Sequence, residues 1–230
     1  MGTVVSYALD GRIATIGLDD GKVNVLSPAL LAELNAALDQ AEGERAVVVL
    51  TGREGVFSAG FDLGVLRAGG PDALGMVQAG FELALRLLSF PAPVIIACSG
   101  HAIAMGVFVL LSGDYRIGAA GPYRLMANEV AIGLPMPQAA VEIMRQRLTP
   151  ACFNRALLLA EQFSPDNAVE AGFLDRVVEP AELAGAAWST AETMLTLNFD
   201  AHAASKLRAR EPVLNALRAA IDADYAAVTG

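Results

Sequence analysis

Two short glycine-containing segments have the residue types and spacing to bind a developing negative charge through backbone N–H groups. Residues 58–63 follow the apolar run 47–50, and residues 100–106 follow the apolar run 94–97. Each segment joins a predicted strand to a helical pattern, and the first N–H groups of a helix have no partner within it. Two such turns aimed at one point would form an oxyanion hole, which stabilises a carbonyl oxygen as it becomes negative.

The elements that must position these turns alternate between strand and helix. Asp10-Gly11 is a strong two-residue turn signal, and Ser27-Pro28 is typical of a helix start. We predict strands at 4–9, 12–18, 46–51, 94–98 and 115–118, and helices that begin at 28, at about 72 and at 105. This rhythm predicts an α/β fold with mostly parallel central strands.

From about residue 135 the pattern becomes helical, with one further strand predicted at 174–178. We expect the helices that fill 180–228 to break near Asn198 and at Pro212. The sequence therefore predicts a core domain at 1–180 and a helical region at 181–230. No internal repeat is evident in the sequence.

Composition restricts the class of function. The chain has 230 residues, 54% of them apolar, with 16 basic against 25 acidic side chains and a net charge of −9. This balance argues against nucleic-acid binding, which needs a basic face. The N-terminus lacks a signal-peptide pattern, and the apolar neighbours of Cys98 and Cys152 predict buried, reduced thiols. We expect a cytoplasmic protein.

Residues 87–113 carry no Asp, Glu, Lys or Arg and are long enough to suggest a membrane span. Pro91, Pro93 and Gly100 interrupt this run. We therefore expect a buried strand, a turn and a helix here, and no contact with a membrane.

Six segments, in order, resemble one family. They are Asn24-Val25-Leu26-Ser27, the two turns with their preceding strands at 49–63 and 93–106, Gly113-Asp114-Tyr115-Arg116-Ile117, Asn128-Glu129-Val130-Ala131-Ile132-Gly133-Leu134, and residues 168–178. Over residues 3 to about 180 the chain resembles the crotonase, or enoyl-CoA hydratase/isomerase, superfamily. The resemblance implies a crotonase/ClpP-like spiral of ββα units with a helical C-terminal appendage.

The resemblance also implies partners. It implies an acyl-CoA thioester substrate and a homotrimer, or a hexamer built as a dimer of trimers, with the helical region 181–230 used in trimer packing. No cofactor is expected, since coenzyme A enters as part of the substrate. His101 and His202 are far apart in the sequence without a Cys or acidic cluster, so no metal site is expected.

By position in the family motifs, the backbone N–H groups of Phe61 and Met105 are the implied oxyanion donors. Only the amide matters at these positions, so Phe and Met are both acceptable. Each donor of this kind contributes roughly 3 kcal/mol to transition-state stabilisation. The residues implied to contact substrate are Lys22, Val25, Ser58, Ala59, Gly60, Asp62, Leu63, Gly106, Phe108 and Leu134.

The carboxylates decide which reaction is implied. Hydratases of this family use two glutamates, and here one position holds Phe108 while the other holds Glu129. Water addition needs a carboxylate pair, whereas a single carboxylate suits a 1,3-proton shift. The resemblance thus implies a Δ3-Δ2 enoyl-CoA isomerase. We also predict that Phe108, Ile132 and Leu134 raise the pKa of Glu129 above its usual range.

Each candidate has an alternative interpretation. Glu129 is otherwise a surface carboxylate, Asp62 a first-turn residue that complements a helix dipole, and His101 a hydrogen-bonded wall residue. Glu142 is expected to be solvated or to pair with Arg145 or Gln146, and not to be catalytic. Candidates to meet the coenzyme phosphates are Arg12, Lys22, Arg53, Arg67 and Lys206, with Lys22 the strongest. Residues that fit either the core or an acyl pocket are Phe57, Met76, Phe81, Met126, Met136 and Phe163.

Three other functions compete with isomerisation. The first is an enoyl-CoA hydratase or another crotonase-type lyase. The second is a peptidase, since Clp-type serine peptidases share this fold, but the nucleophile position would be Ala104, which has no hydroxyl. The third is a non-catalytic acyl-CoA binder.

Overall fold

The computed structural model describes residues 3–229 of the chain, and the side chains of residues 3–227. Its strands are β1 Val5–Asp10, β2 Ile13–Leu18, β3 Val25–Leu26, β4 Val47–Thr51, β5 Gly55–Ser58, β6 Gly60–Phe61, β7 Val94–Cys98, β8 Gly100–Ile103, β9 Tyr115–Ala119, β10 Leu125–Met126 and β11 Arg176–Val178. The hairpin predicted around Asp10-Gly11 is confirmed, because β1 and β2 pair antiparallel and Asp10 lies opposite Ile13.

The helices are α1 Pro28–Gly43, α2 Leu63–Ala68, α3 Gly70–Ser89, α4 Met105–Leu111, α5 Gln138–Arg145, α6 Pro150–Leu159, α7 Pro165–Ala171, α8 Leu183–Met194 and α9 Phe199–Thr229, with short 3₁₀ helices at Val130–Ile132 and Pro180–Glu182. Ser27 caps α1 as predicted, since its Oγ accepts a hydrogen bond from the Leu30 N–H at 3.2 Å. The helical pattern expected after residues 58–63 corresponds to α2, which ends at Ala68, two residues before α3 begins at Gly70.

A six-stranded sheet in the order β1-β2-β4-β7-β9-β11 forms the centre of the molecule. Apart from the β1–β2 hairpin, its strands pair in parallel, as the alternation of elements predicted. All five residues of β7 are buried, which is expected for a parallel strand covered on both faces.

A second, three-stranded parallel sheet has the order β10-β8-β5. Each of its strands follows a central strand of the large sheet, so β4-β5, β7-β8 and β9-β10 repeat the same step. The predicted spiral of ββα units is therefore confirmed. The absence of a sequence repeat was misleading, because the repeat lies in strand geometry that many apolar residues satisfy.

The C-terminal helices pack on the rest of the chain. Leu183, Ala187 and Ala191 of α8 and Leu217 and Ile221 of α9 belong to the same buried core as the central strands. The carboxylate of Asp224 accepts hydrogen bonds from the first backbone N–H groups of α5. The division at residue 180 stays a prediction.

The predicted break near Asn198 is confirmed, but the break predicted at Pro212 is wrong. The helix α9 runs through Pro212 without interruption. Proline costs a helix interior one hydrogen bond and a steric clash. The turns on both sides of Pro212 are anchored in the core through Lys206 and Leu217, which are 6% and 0% exposed, and this packing holds the helix together.

The uncharged stretch 87–113 folds as the end of α3, then β7, β8 and α4, all within the core. Between residues 3 and 229, no helix combines the length and the apolar character needed to cross a bilayer.

Candidate active site

The three loops that carry the predicted site leave one edge of the three-stranded sheet. Ile103, the last residue of β8, pairs with Met126, the last residue of β10, and Ser58 at the end of β5 pairs with Ala102. Because these strands are parallel, their carboxyl ends meet at the same edge. The segments 59–61, 104–105 and 128–129 therefore emerge side by side.

A cavity of about 230 Å³ lies where these loops meet. Its lining comes from the three loops, from α2, α3 and α4, and from the 3₁₀ helix after β10. The lining residues are Ala59, Phe61, Leu63, Leu66, Val77, Phe81, Ala104, Phe108, Asn128, Glu129, Ile132, Leu134 and Pro137. Among these described residues, Glu129 is the only ionisable side chain.

Glu129 carries a buried carboxyl group. It is 9% exposed, and its Oε2 has no hydrogen-bond partner among the described residues. Burial raises the pKa of Glu129 from an ordinary 4.5 to about 7, while its own backbone N–H acts in the opposite direction. The predicted direction is confirmed, and the surface alternative for Glu129 is wrong. The neighbouring Asn128 Oδ1 is also buried without a partner among the described residues.

Three aromatic rings form one wall of the cavity. The rings of Phe61 and Phe81 meet edge to face, and those of Phe81 and Phe108 stack, each pair with centroids 6.2 Å apart. Phe108 is 1% exposed. The wall is apolar at Phe108, the position to which the family resemblance assigns the first glutamate of a hydratase.

The two glycine-containing turns are in direct contact. Gly60 has φ of +88°, and a Cβ placed on it would lie 2.9 Å from the Ile103 carbonyl oxygen and 3.2 Å from the Met105 nitrogen. Only glycine permits this approach. Met105 is the first residue of α4, where its N–H has no acceptor within the helix. Met105 as a whole residue is buried and is not among the residues that line the cavity, whereas its neighbour Ala104 is.

Several predicted contact residues support the turns from behind the cavity. The Ser58 Oγ donates to the Asn24 carbonyl oxygen at 2.7 Å and accepts from the Gly60 N–H at 3.2 Å. A Cβ on Gly106 would lie 2.9 Å from the Ser58 Cβ, so α4 packs directly on β5. Val25 pairs with Gly60. These residues do not line the cavity.

Asn24 is a positioning residue that sequence reasoning used only as part of a motif. It is fully buried with φ of +53°, and its Nδ2 donates to the carbonyl oxygens of Leu18 and Phe57. The carboxylate of Asp20 accepts the N–H groups of Asn24 and Val25, which lowers the pKa of Asp20 against the opposing effect of its burial. This loop fixes the position of β5 and β6.

For Asp62, His101 and Glu142, the structure agrees with the non-catalytic interpretation given from the sequence. Asp62 caps α2, since its Oδ1 accepts from the N–H groups of Gly64 and Val65. The Nδ1 of His101 accepts the Arg124 N–H at 3.0 Å, and burial, aided by the charge of Arg124, lowers the pKa of His101. The carboxylate of Glu142 lies 3.6 Å from Arg145.

The basic residues suggested to bind the coenzyme phosphates differ in their exposure and in their hydrogen-bond partners. Lys22 is exposed in the loop after β2, and the Arg53 guanidinium donates to the Lys22 carbonyl oxygen at 2.9 Å. Arg12 donates to the Arg45 carbonyl oxygen. The suggestion for Lys206 is wrong, because its ammonium is buried and binds Asp114 at 2.6 Å.

Sequence reasoning did not assign Leu66, Val77, Ala104 and Pro137 to the cavity, and it left Phe81 undivided between core and pocket. Leu66 lies on α2, Val77 and Phe81 lie on α3, and Ala104 and Pro137 immediately precede α4 and α5. Only tertiary packing brings these apolar residues to one cavity. Within the described residues, His, Cys, Asp and Glu do not gather in groups of three or more suited to a metal ion.

The comparison with known proteins agrees with this geometry. The family model described as "Enoyl-CoA hydratase/isomerase" matches residues 9–229. The chain is 30% identical over 217 residues to human mitochondrial enoyl-CoA delta isomerase 1, covering 92% of this chain and 72% of that protein.

Two solved structures are closer in sequence. An enoyl-CoA hydratase from Mycobacterium marinum superposes with a TM-score of 0.94 at 47% identity, covering 97% of this chain and 99% of that one. The apo form of an Mtb enoyl-CoA isomerase superposes with a TM-score of 0.93 at 48% identity, covering 97% and 98%. With a family model that spans nearly the whole chain and this shared crotonase fold, the chain belongs to the enoyl-CoA hydratase/isomerase family of enzymes.

Proposed function

We propose that this enzyme is a Δ3-Δ2 enoyl-CoA isomerase. The observation that carries the proposal is the cavity with Glu129 as the only ionisable group among its described lining residues, beside an aromatic wall at Phe108. A single buried carboxylate can move one proton between two carbons. Water addition needs a second carboxylate to help orient and deprotonate the water molecule.

In the proposed reaction Glu129 removes a proton from C2 of a 3-enoyl thioester. The C–H bonding pair moves into a dienolate, and the negative charge on the thioester oxygen is stabilised by the N–H groups of Phe61 and Met105. The carboxyl of Glu129 then returns the same proton to C4, and the double bond moves from C3–C4 to C2–C3. No other reactant is consumed.

A raised pKa suits this cycle. A carboxylate with a pKa of about 7 is a stronger base than an exposed glutamate, and it holds the proton in the intermediate state more readily. The apolar lining also limits solvent exchange with the bound proton. The names of the human and Mtb relatives, both isomerases, support the same assignment.

Hydration is the second candidate. It is favoured by the relative from M. marinum that is named as a hydratase, and by the buried Asn128 Oδ1, which could accept a hydrogen bond from a water molecule. An amide does not exchange protons as a carboxylate does, so Asn128 would hold water without activating it.

The two reactions are distinguished by assaying a 3-enoyl-CoA and a 2-enoyl-CoA side by side. We expect isomerisation with little hydration, and a loss of at least a hundredfold in kcat for Glu129→Gln. Glu142→Gln is the matched control, since Glu142 lies on α5, outside the cavity. Hydration that persists in Glu129→Gln would overturn the proposed shuttle.

We also propose that no cofactor takes part, since the shuttle uses only Glu129 and two backbone amides. Activity is expected to survive exhaustive dialysis against a chelator. Cys98 and Cys152 are free and buried, consistent with the reducing location predicted from the sequence. A cytoplasmic location stays a prediction, testable by fractionation with an antibody.

Assembly as a trimer, or as a dimer of trimers, is likewise a proposal. Exposed apolar side chains on α6 and α7 support it, since Leu158, Leu159 and Val169 are 57%, 72% and 42% exposed. Light scattering of the purified protein measures the mass directly. A monomer at micromolar concentration would contradict the proposal.

A further inference from the structure

A glycine in the middle of α3 lies against the side chains of both proposed oxyanion residues. A Cβ placed on Gly80 would lie 2.5 Å from Cζ of Phe61, still closer to Cε1 of that ring, and 3.5 Å from Cγ of Met105. Carbon atoms in contact are normally 3.5 to 4.0 Å apart. The ring of Phe61 therefore occupies the space that any other side chain at position 80 would fill.

The position of this glycine is unusual for a helix. Gly80 is buried and lies well inside α3, which runs from Gly70 to Ser89, and alanine is the better helix former at such a position. Gly80 has no positive φ, so the turn of the chain does not call for glycine. The reason for glycine here is the approach of the Phe61 ring.

The ring of Phe61 also meets a second residue of α3. Phe81, the next residue of α3, meets Phe61 edge to face, and Phe81 in turn stacks on Phe108. Phe61 also lines the cavity, so a ring pushed away from α3 must move toward the substrate or take its backbone with it. Both movements alter the position of the Phe61 N–H relative to that of Met105.

We propose that Gly80 is a positioning residue, which seats the Phe61 ring against α3 and so holds the Phe61 backbone N–H in place for the thioester oxygen. This inference rests on the oxyanion role proposed above for Phe61. Gly80 itself touches no reacting atom. It acts through the ring, which is why the effect of changing it must depend on the side chain at position 61.

A double-mutant cycle between Gly80→Ala and Phe61→Leu tests this dependence. Leucine lacks the Cε1 and Cζ atoms that the new methyl group would strike, and it keeps the backbone N–H. We expect Gly80→Ala to lower kcat at least tenfold in the wild-type background and less than twofold in the Phe61→Leu background. Gly75→Ala is the matched control on α3, since a Cβ there meets nothing within 4 Å.

Equal losses in the two backgrounds, or no loss in either, would overturn the proposal. A loss confined to KM would also overturn it, since the ring would then merely fill the cavity. If Gly80→Ala alone fails to fold, a folded and active Gly80→Ala/Phe61→Leu variant supports the clash, and failure of both variants to fold overturns it.

A spectroscopic measurement separates this proposal from the proposed reaction. The carbonyl stretching band of a saturated acyl-CoA, labelled with ¹³C at the thioester carbon, reports hydrogen bonding to the oxyanion donors without turnover. We expect a shift to lower frequency in the wild type, a smaller shift in Gly80→Ala, and its recovery in the double variant. This pattern in an enzyme without isomerase activity would sink the isomerase assignment and leave the role of Gly80 intact. A band shift unchanged by Gly80→Ala would overturn that role.

Discussion

The ammonium of Lys206 in α9 lies 2.6 Å from Oδ2 of Asp114, at the start of β9, and both groups are shielded from solvent. The same ammonium donates to the carbonyl oxygens of Phe90 and Ala92, and Arg210 lies 2.9 Å from the other oxygen of Asp114. Burial lowers the pKa of Lys206, and the charge of Asp114 opposes that effect. The C-terminal helix is thus tied to the central sheet by a buried ionic group.

We predict that Lys206→Met destabilises the protein by about 3 kcal/mol, because it leaves two buried carbonyl oxygens without their donor and removes the 2.6 Å ion pair to Asp114, which keeps Arg210 as a charged partner. Chemical denaturation monitored by circular dichroism measures the loss. The other lysine of the chain, Lys22, is exposed, and Lys22→Met is expected to change stability by less than about 0.5 kcal/mol. Similar stabilities for the two variants would contradict a stabilising role for the buried interaction of Lys206 with Asp114.

The raised pKa of Glu129 predicts how activity depends on pH. The ionised carboxylate is the base, so kcat/KM for a 3-enoyl-CoA should rise with pH and level off above about 7. A rising limb centred near 4.5 would show that Glu129 is solvated in the free enzyme and would contradict its burial.

The same pKa predicts that stability falls with rising pH, whereas kcat/KM rises. Between about 4.5 and about 7 the folded protein holds a proton on Glu129 that the unfolded chain has released, so this group makes stability fall as pH rises through that window. At about 1.4 kcal/mol per pH unit, a difference of about 2.5 pH units makes the penalty above pH 7 about 3.5 kcal/mol. Glu129→Gln should remove it and raise the melting temperature at pH 8 more than at pH 5. An equal effect at both pH values would count against the linkage.

Phe108→Glu is predicted to introduce hydration. The new carboxylate would line the same cavity as Glu129. The two carboxylates would then form the pair that water addition needs. We expect measurable hydration of a 2-enoyl-CoA, together with a loss of stability because Phe108 is 1% exposed and a buried charge is costly. Phe108→Leu keeps the wall apolar and should keep isomerisation without hydration. Hydration by the leucine variant would show that a second carboxylate is not the deciding factor.

Gly60→Ala tests the contact between the two turns. The added methyl group would strike Ile103 and Ala104 and force the Phe61 and Met105 amides apart, so kcat should fall by about 10²-fold, as for the loss of one oxyanion donor. Gly55→Ala is the matched control, since Gly55 has a similar φ of +82° but nothing within 4 Å of its Cβ position. Comparable losses of kcat in both variants would indicate backbone strain rather than a displaced oxyanion hole.

Much of the fold follows from local sequence signals. The hairpin at Asp10-Gly11, the caps at Ser27 and Asp62, and the apolar strands β4 and β7 are set by turn chemistry and by hydrophobic patterns that act over a few residues. The position of Glu129 in the family motif also identified the carboxyl group that lines the cavity. The pattern failed at Pro212, because tertiary packing on both sides of the proline outweighs its local cost.

The sequence by itself determined which groups are available: Glu129 and Phe108 at the two positions that the family resemblance assigns to acid–base residues, and glycines in two turns that follow buried strands. Only the tertiary structure decided where they meet, since the loops at 59–61, 104–105 and 128–129 converge through the parallel register of β5, β8 and β10. It also decided the pKa of Glu129 and the contact of Gly80 with Phe61. Both depend on long-range packing, which brings together residues whose separation along the chain leaves no local pattern.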